Sequence, residues 1–172
     1  PFLRWYAMLF LVIWSATFIV TTDLANWWTE NALTNLSIGA LAITHKRFRF
    51  SDASYTLMLI YIALHVYGAM HTYAENPLGY WLKDKLHWER NHYDRIVHFS
   101  FGFLLTFPMR DWFLNHFKWP RWVCWVLPVE ITMSFSAAYE LIEWAVADVF
   151  FPAQGPAYLG TQGDVWDAQK DM

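Results

Sequence analysis

The sequence predicts an all-α protein, a polytopic transmembrane helix bundle of about five membrane helices that forms a single integral membrane domain over residues 1–172. Of its residues, 56% are hydrophobic and only 16% are charged, against roughly 25% in soluble domains. Aromatic residues make up 20% and include 12 Trp, a residue that collects at membrane–water interfaces. A net charge of -3 gives no electrostatic reason to expect nucleic acid as a partner. The hydrophobic composition makes membrane lipids the expected partners.

Five apolar segments account for the predicted helices, since about 17 to 25 residues cross a hydrocarbon core of about 30 Å. They cover residues 5–22, 27–44, 53–70, 93–107 and 122–150. The first lacks the small-residue cleavage site of a secretory signal, so we expect it to be retained. The second is the weakest, because it carries polar groups that need partners inside a bundle. These groups are Asn31, Thr34, Asn35 and Ser37.

Lys and Arg accumulate at alternate connections, which is the pattern of cytoplasmic loops. The seven basic residues concerned are Arg4, Lys46, Arg47, Arg49, Arg110, Lys118 and Arg121. The other connections carry Asp23 and Glu30, then mixed charges over residues 73–91, then acids from Asp148 to Asp171. We therefore expect the N-terminus in the cytoplasm and residues 73–91 outside.

Residues capable of catalysis or metal binding cluster at the start of the fourth segment. Asp94 and His98 are i, i+4 neighbours and share one helix face, so they can act as a ligand pair or as an acid with its orienting base. An ionisable pair at membrane depth is read as functional by default. The alternatives are a helix-start acid beside an interfacial histidine, or an ion pair of Asp94 with Arg95.

The fifth segment carries Glu140 and Glu143 three residues apart, in the half that the predicted topology places outside. The alternative is that both hydrogen-bond to polar groups on neighbouring helices. Glu130, near the other end, is expected to be structural. His65 and His71 on the third segment are each more typical of packed or interfacial histidines than of ligands.

The tail carries Asp164, Asp167 and Asp171 on one helical stripe. An N-cap role for Asp164 and the helix dipole would explain two of these acids without any site. A helix that starts with three acids and stops after two turns is also expected to lead into a further membrane segment beyond Met172.

Four blocks carry a family resemblance: residues 90–95 (RNHYDR), 97–103 (VHFSFGF), 139–144 (YELIEW) and 163–172 (GDVWDAQKDM). They resemble the signature blocks of the uncharacterised YjdF-like bacterial inner membrane proteins. The resemblance implies a multi-pass protein of the bacterial inner membrane, in which one more hydrophobic helix generally follows. More distantly, the order Asp-Arg-x-x-His-Phe, Glu on a helix and Asp-x-x-Asp is similar to the VanZ-like membrane proteins, associated with glycopeptide antibiotic tolerance.

Two classes of function remain open from the residues. The first is a membrane enzyme acting on a lipid or lipid-linked substrate near the extracytoplasmic side, by direct acid–base chemistry or with a divalent metal ion: zinc, manganese or iron. The second is a lipid-binding, ion-binding or transport protein; no internal repeat, typical of transporters, is visible. The candidate catalytic residues are Asp94, His98, Glu140 and Glu143. The candidate metal ligands are His98, Glu143, Asp164 and Asp167. Further candidates are Arg95, His92, Asp171 and His71. The oligomeric state stays open.

Overall fold

The computed structural model describes residues 2–150, 162–164 and 166–172. Its helices are α1 (Phe2–Val20), α2 (Leu24–Thr44), α3 (Asp52–His71), α4 (Pro77–Leu86), α5 (Tyr93–Trp112), α6 (Arg121–Trp144) and α7 (Asp167–Asp171). One π-helical turn, Phe113–Phe117, extends α5, and another, Ala145–Phe150, extends α6. No strand occurs in these ranges, so the predicted all-α class is confirmed.

Within the described residues, two helices are long and apolar enough, by length and composition, to cross a membrane. They are α1, through Leu3–Val20 with mean hydropathy 1.7, and α3, over Asp52–His71 with mean hydropathy 1.4. The other long helices carry more polar and charged side chains. The predicted count of about five crossings therefore stays a prediction.

Local capping explains where the helices begin. Asp23 accepts a hydrogen bond from the backbone N–H of Asn26 and starts α2, and Ser51 accepts one from the N–H of Ser54 and starts α3. The early start of α2 places Glu30 inside this helix, so its assignment to a connection was wrong. Asn76 caps α4, which lies within the predicted connection 73–91. This helix of ten residues is too short to give an apolar membrane signal.

The bundle is built around α3 and α5. Helix α3 packs against α1, α2 and α5, while α5 also packs against α6 and α7. Tyr6 bonds to Thr56 at the start of α3, and Thr21 donates to the carbonyl of Met70 near its end, so α1 and α3 run parallel. Helix α5 runs antiparallel to α3, because Asp111 near its end contacts Ser54.

This arrangement defines two ends of the bundle. The site end comprises the C-terminal ends of α1, α3 and α6 with the N-terminal ends of α2 and α5. The opposite end comprises the other termini of these five helices and the basic connections that follow α2 and α5. Within α2, Asn31 and Thr34 are buried as expected, whereas Ser37 is exposed.

Candidate functional site

Two arginines fasten the tail to the site end. Arg90 Nη1 and Nη2 lie 2.5 and 3.3 Å from the two carboxylate oxygens of Asp167, a bidentate pair. Arg95 Nη2 lies 2.7 Å from Asp164 Oδ2 and 2.7 Å from Asp167 Oδ1. We call Arg90, Arg95, Asp164 and Asp167 the tail clamp. It joins the start of α5 to a segment about seventy residues later in the chain.

Three further groups adjoin the tail clamp. Lys170 Nζ lies 2.5 Å from Asp164 Oδ2, and Arg95 Nε lies 3.5 Å from Asp171 Oδ1. The hydrogen bonds from Lys170 and Arg95 hold the pKa of Asp164 well below its usual range. His92 Nδ1 accepts from Arg95 Nη1 at 3.1 Å. Burial and the nearby Arg95 and Arg90 charges lower the pKa of His92, which suits this acceptor role.

His98 bridges two carboxyl groups from different helices. Its Nε2 lies 3.5 Å from Asp94 Oδ1 on the same helix, and its Nδ1 lies 3.5 Å from Glu140 Oε1 on α6. The Glu140 side chain is 6% exposed, so little water competes for this contact. An imidazole with a carboxyl group at each nitrogen can take a proton on one side and release one on the other.

A cavity of about 350 Å³ lies between α5, α6 and the tail. Six carboxyl-bearing residues line it: Asp94, Glu140, Glu143, Asp164, Asp167 and Asp171. The three cations beside them, Arg90, Arg95 and Lys170, form salt bridges with the three tail aspartates. Asp94, Glu140 and Glu143 also face the cavity, and within the described residues Asp94 and Glu140 contact His98 and form no salt bridge with a lysine or arginine.

Asp171 is the most enclosed of the tail acids. Its side chain is 4% exposed, and Oδ1 has no hydrogen-bond partner among the described residues. Burial, together with the negative charges of Asp94 and Asp167, raises the pKa of Asp171 to about 7. Asp171 can therefore exchange a proton near neutral pH.

Asparagine and glutamine side chains fix the loop that carries the arginines. Asn91 Nδ2 donates to the carbonyls of Ala74 and Asn76, and its backbone exchanges two hydrogen bonds with the Gln162 side chain, at 3.1 and 2.9 Å. A Cβ atom at Gly79 would overlap Asn91 Oδ1, so only glycine allows this approach. The neighbouring Arg90 is thereby held toward the tail.

The structure brings most of the candidate residues together at the site end. Nine of them lie at the cavity or in the polar contacts beside it: His92, Asp94, Arg95, His98, Glu140, Glu143, Asp164, Asp167 and Asp171. His71 does not join them; its ring packs edge-on against Tyr67. His71 is therefore better explained as a packed histidine.

The metal set His98, Glu143, Asp164 and Asp167 is not preassembled. No three or more His, Cys, Asp or Glu side chains among the described residues are arranged to hold a metal ion. The physical reason is the tail clamp: guanidinium groups already bond to the oxygens of Asp164 and Asp167. Metal binding at this set is thus not supported by the geometry.

A polar network that sequence reasoning missed lies on the α2–α3 side. His65 Nε2 lies 3.1 Å from the backbone carbonyl oxygen of Glu30, which can only accept a hydrogen bond, so Nε2 carries the proton and donates. The other ring nitrogen, Nδ1, then accepts a hydrogen bond from the Tyr73 hydroxyl at 2.5 Å. Glu30 interacts electrostatically with Asp94, and Tyr73 with both. A carboxyl group inside a membrane segment is a signal of function, and Glu30 has this property. The signal was missed because Glu30 was assigned to a connection between helices.

Other groups were missed for a different reason. Arg90, Lys170 and Gln162 are ordinary polar residues in the sequence and acquire roles only through their contacts with Asp167, Asp164 and Asn91. Tyr139 hydrogen-bonds to Glu143. No local pattern identifies such partners, because each contact depends on packing.

Comparison with known proteins agrees with a membrane protein. The family model described as predicted membrane protein, DUF2238, matches residues 2–172. Inner membrane protein YjdF of Escherichia coli (strain K12) is 31% identical over 159 residues, which cover 91% of this chain and 75% of that protein. No solved structure matches the chain. The similarity to VanZ-like proteins stays a prediction. The chain thus belongs to the DUF2238 family of predicted membrane proteins, together with the inner membrane protein YjdF.

Proposed function

We propose that the protein is a membrane-embedded hydrolase or transferase that acts on a lipid or lipid-linked substrate at the extracytoplasmic side of the bacterial inner membrane. The observation that carries the proposal is the His98 ring, 3.5 Å from Asp94 on one side and from Glu140 on the other, beside a polar cavity. Acid–base catalysis requires this combination of a proton carrier and an orienting group.

The roles follow from which groups face the cavity. Glu140 lines the cavity and contacts His98, so its carboxylate takes a proton from the attacking water or hydroxyl. As the nucleophile bonds to the reacting atom of the substrate and the bond to the leaving oxygen breaks, Glu140 passes the same proton to that oxygen. His98 hydrogen-bonds to Glu140 through Nδ1 and stabilises both of its protonation states, and Asp94 orients the ring through Nε2. Glu143, also at the cavity, is left to bind the polar group of the substrate.

Charge constrains the substrate. Carboxyl groups dominate the cavity lining, so a bare phosphate would be repelled. A lipid phosphate could enter only with a divalent cation, in which case zinc, manganese or iron would supply Lewis-acid polarisation at the carboxyl groups. A neutral glycosyl or ester linkage faces no such penalty and suits direct acid–base chemistry.

A second function, cation binding or transport, is favoured by the balance of charges. Six carboxyl-bearing residues line the cavity, and the three neighbouring cations are used by the tail. Asp94, Glu140 and Glu143 would have to move closer together to hold a cation, because they form no preassembled metal site among the described residues. This reading needs no bond to be broken.

Orientation rests on the basic residues. Those following α2 and α5 gather at the opposite end, and the positive-inside rule would put that end, with the N-terminus, in the cytoplasm. Single cysteines placed near Lys46 and near Lys83 should be labelled from opposite sides of sealed vesicles. Labelling of both from one side would refute the orientation.

The test of the enzyme is product formation from native lipids. The full chain would be reconstituted into vesicles of bacterial inner membrane lipid extract, and mass spectrometry would follow loss of lipid and release of polar products. His98→Ala and Glu140→Gln should each reduce product formation roughly 100-fold or more. His116→Ala is the matched control, since His116 is an exposed histidine of the opposite end.

Binding measurements separate the two functions. If no lipid is converted, isothermal titration of the same protein with Mn²⁺, Zn²⁺ and Na⁺ tests the cation reading. A cation site would lose its heat of binding in Glu143→Gln and keep it in the control variant. Lipid turnover that depends on His98 but not on added cations would support direct acid–base catalysis.

A further inference from the structure

Helix α4 has no role in the site chemistry and lies next to the membrane-spanning part of the chain. Five residues, 72–76, connect it to α3, and six, 87–92, connect it to α5. At about 3.5 Å per residue, the first connection spans at most roughly 18 Å. Helix α4 is therefore confined to the surface of the site end.

One face of α4 is fixed to the protein. Gly79 is buried against Asn91, and Asn76 accepts from the backbone N–H groups of Leu78 and Gly79 while its own amide donates to the carbonyl of Tyr67. These contacts set the rotation of the helix about its axis. The side of α4 that faces away from the bundle is thereby determined as well.

That outward side carries apolar and basic groups. At about 100° per residue, Leu78, Trp81 and Lys85 lie within an arc of roughly 60° on the side away from Gly79, and Asp84 borders that arc beside Trp81. Trp81 is 57% exposed and Leu78 is 38% exposed, so neither is covered by the described protein. Further large apolar residues exposed on α4 or just after it are Tyr80, Leu86 and Trp88.

We infer that α4 is an interfacial helix that docks on the lipid bilayer surface beside the site, with Leu78 and Trp81 in the boundary between headgroups and acyl chains. Tryptophan favours that depth, and Lys85 can lay its methylene stem along it while its ammonium group reaches lipid phosphates. Lys83 and Lys85 against Asp84 leave the helix with one net positive charge, which suits a bilayer containing anionic lipid. The inference does not depend on the chemistry proposed for the cavity.

Spin labels on α4 test the inference directly. In a Cys124→Ala background, nitroxides would be attached at Leu78→Cys, Trp81→Cys and, as the water-exposed control, Lys46→Cys, which lies in the connection after α2 at the opposite end. The full chain would be reconstituted in phosphatidylethanolamine–phosphatidylglycerol vesicles. The ratio of collisions with oxygen to collisions with a water-soluble nickel chelate should be severalfold higher at positions 78 and 81 than at 46.

Two outcomes would overturn the inference. A ratio at positions 78 and 81 as low as at 46 would place that face in water. Spin–spin broadening at position 81 that vanishes on dilution with unlabelled protein would show that a second copy, and not lipid, covers the face. If Trp81→Cys does not elute as folded protein, Lys85→Cys replaces it, and if Cys124→Ala fails, the buried Cys124 is retained because it is shielded from the label.

Discussion

Buried carboxyl groups at the two ends of the bundle have different hydrogen-bond partners. At the opposite end, Asp111 is 8% exposed and accepts from the Ser51 N–H at 2.9 Å, the Ser54 hydroxyl at 2.7 Å and the Asn115 amide at 2.5 Å. At the site end, Glu140 is 6% exposed, yet its nearest polar partner among the described residues is His98 at 3.5 Å. Burial alone therefore does not distinguish a structural carboxyl group from a functional one.

The number of neutral donors makes the difference. Asp111 is stabilised by groups that keep their protons, so it joins α5 to the start of α3 and has no capacity left for a ligand. Among the described residues, Asp94 and Glu140 at the cavity accept no hydrogen bond from a hydroxyl, amide or backbone N–H group, so they are left to share protons, bind a cation or contact a substrate. The following substitutions test this contrast, from the largest expected effect to the smallest.

Arg95→Ala should cause the largest loss of stability. It removes the cation that contacts Asp164, Asp167 and Asp171. Lys170 and Arg90 still pair with Asp164 and Asp167, but the enclosed Asp171 loses its cation. Breaking a buried ion pair costs about 3 kcal/mol at the low end of measured values, which suits an arginine that is 20% exposed. Thermal unfolding in detergent measures it, with the exposed Arg121→Ala as control; equal midpoints for the two variants would contradict a role for the tail clamp.

Asp111→Ala should destabilise the opposite end by about 2 kcal/mol, because the Ser51 N–H and the Ser54 hydroxyl lose their shared acceptor. The contrast between the ends predicts that ligand binding or lipid turnover stays at the wild-type level per folded molecule. The same thermal scan, combined with the lipid assay, checks both parts. Loss of turnover in fully folded Asp111→Ala would remove the distinction drawn above.

Asp171→Asn should raise stability more at pH 8 than at pH 5. Because the pKa of Asp171 is raised from 3.8 to about 7, the native state holds this proton more tightly than the unfolded chain does. The contribution of this proton to the free energy of unfolding is fully present below about pH 3.8 and is lost as the pH rises to about 7. Wild-type thermal midpoints should therefore fall by a few degrees between pH 5 and pH 8, and the variant should show a smaller fall.

An unchanged pH dependence in Asp171→Asn would assign the proton to another group of the cluster. Asp164→Asn supplies the matched comparison, because the pKa of Asp164 is lowered whereas that of Asp171 is raised. Its stabilising contribution is present above the ordinary value and is lost only in stronger acid. This variant should accordingly leave the slope between pH 5 and pH 8 as in the wild type.

Lys170→Ala should have the smallest effect. The Lys170 side chain is 49% exposed, so water screens its contact with Asp164, and Arg95 still holds the same oxygen. The thermal midpoint should shift by no more than the error of the measurement at physiological salt. A loss comparable to that of Arg95→Ala would show that the lysine, and not the guanidinium, fastens the tail.

The sequence by itself determined the helical class and the approximate course of five long helices. The apolar segments at 5–22, 27–44 and 53–70 correspond to α1, α2 and α3, because apolar length and capping residues such as Asp23 and Ser51 are local properties. It also indicated that Asp94, His98, Glu140 and Glu143 belong together, because ionisable side chains in apolar segments need a shared polar environment.

Only the tertiary structure decided which of those charges are already paired. Arg90 and Asp167 are 77 positions apart, and their bidentate contact depends on how the tail returns over α5 and α6. The same packing separated His71 from the site, placed Glu30 within reach of Asp94 and set Asp111 among neutral donors. A residue's type and spacing fix the chemistry it can perform, whereas its partners depend on contacts between distant parts of the chain, which no local pattern encodes.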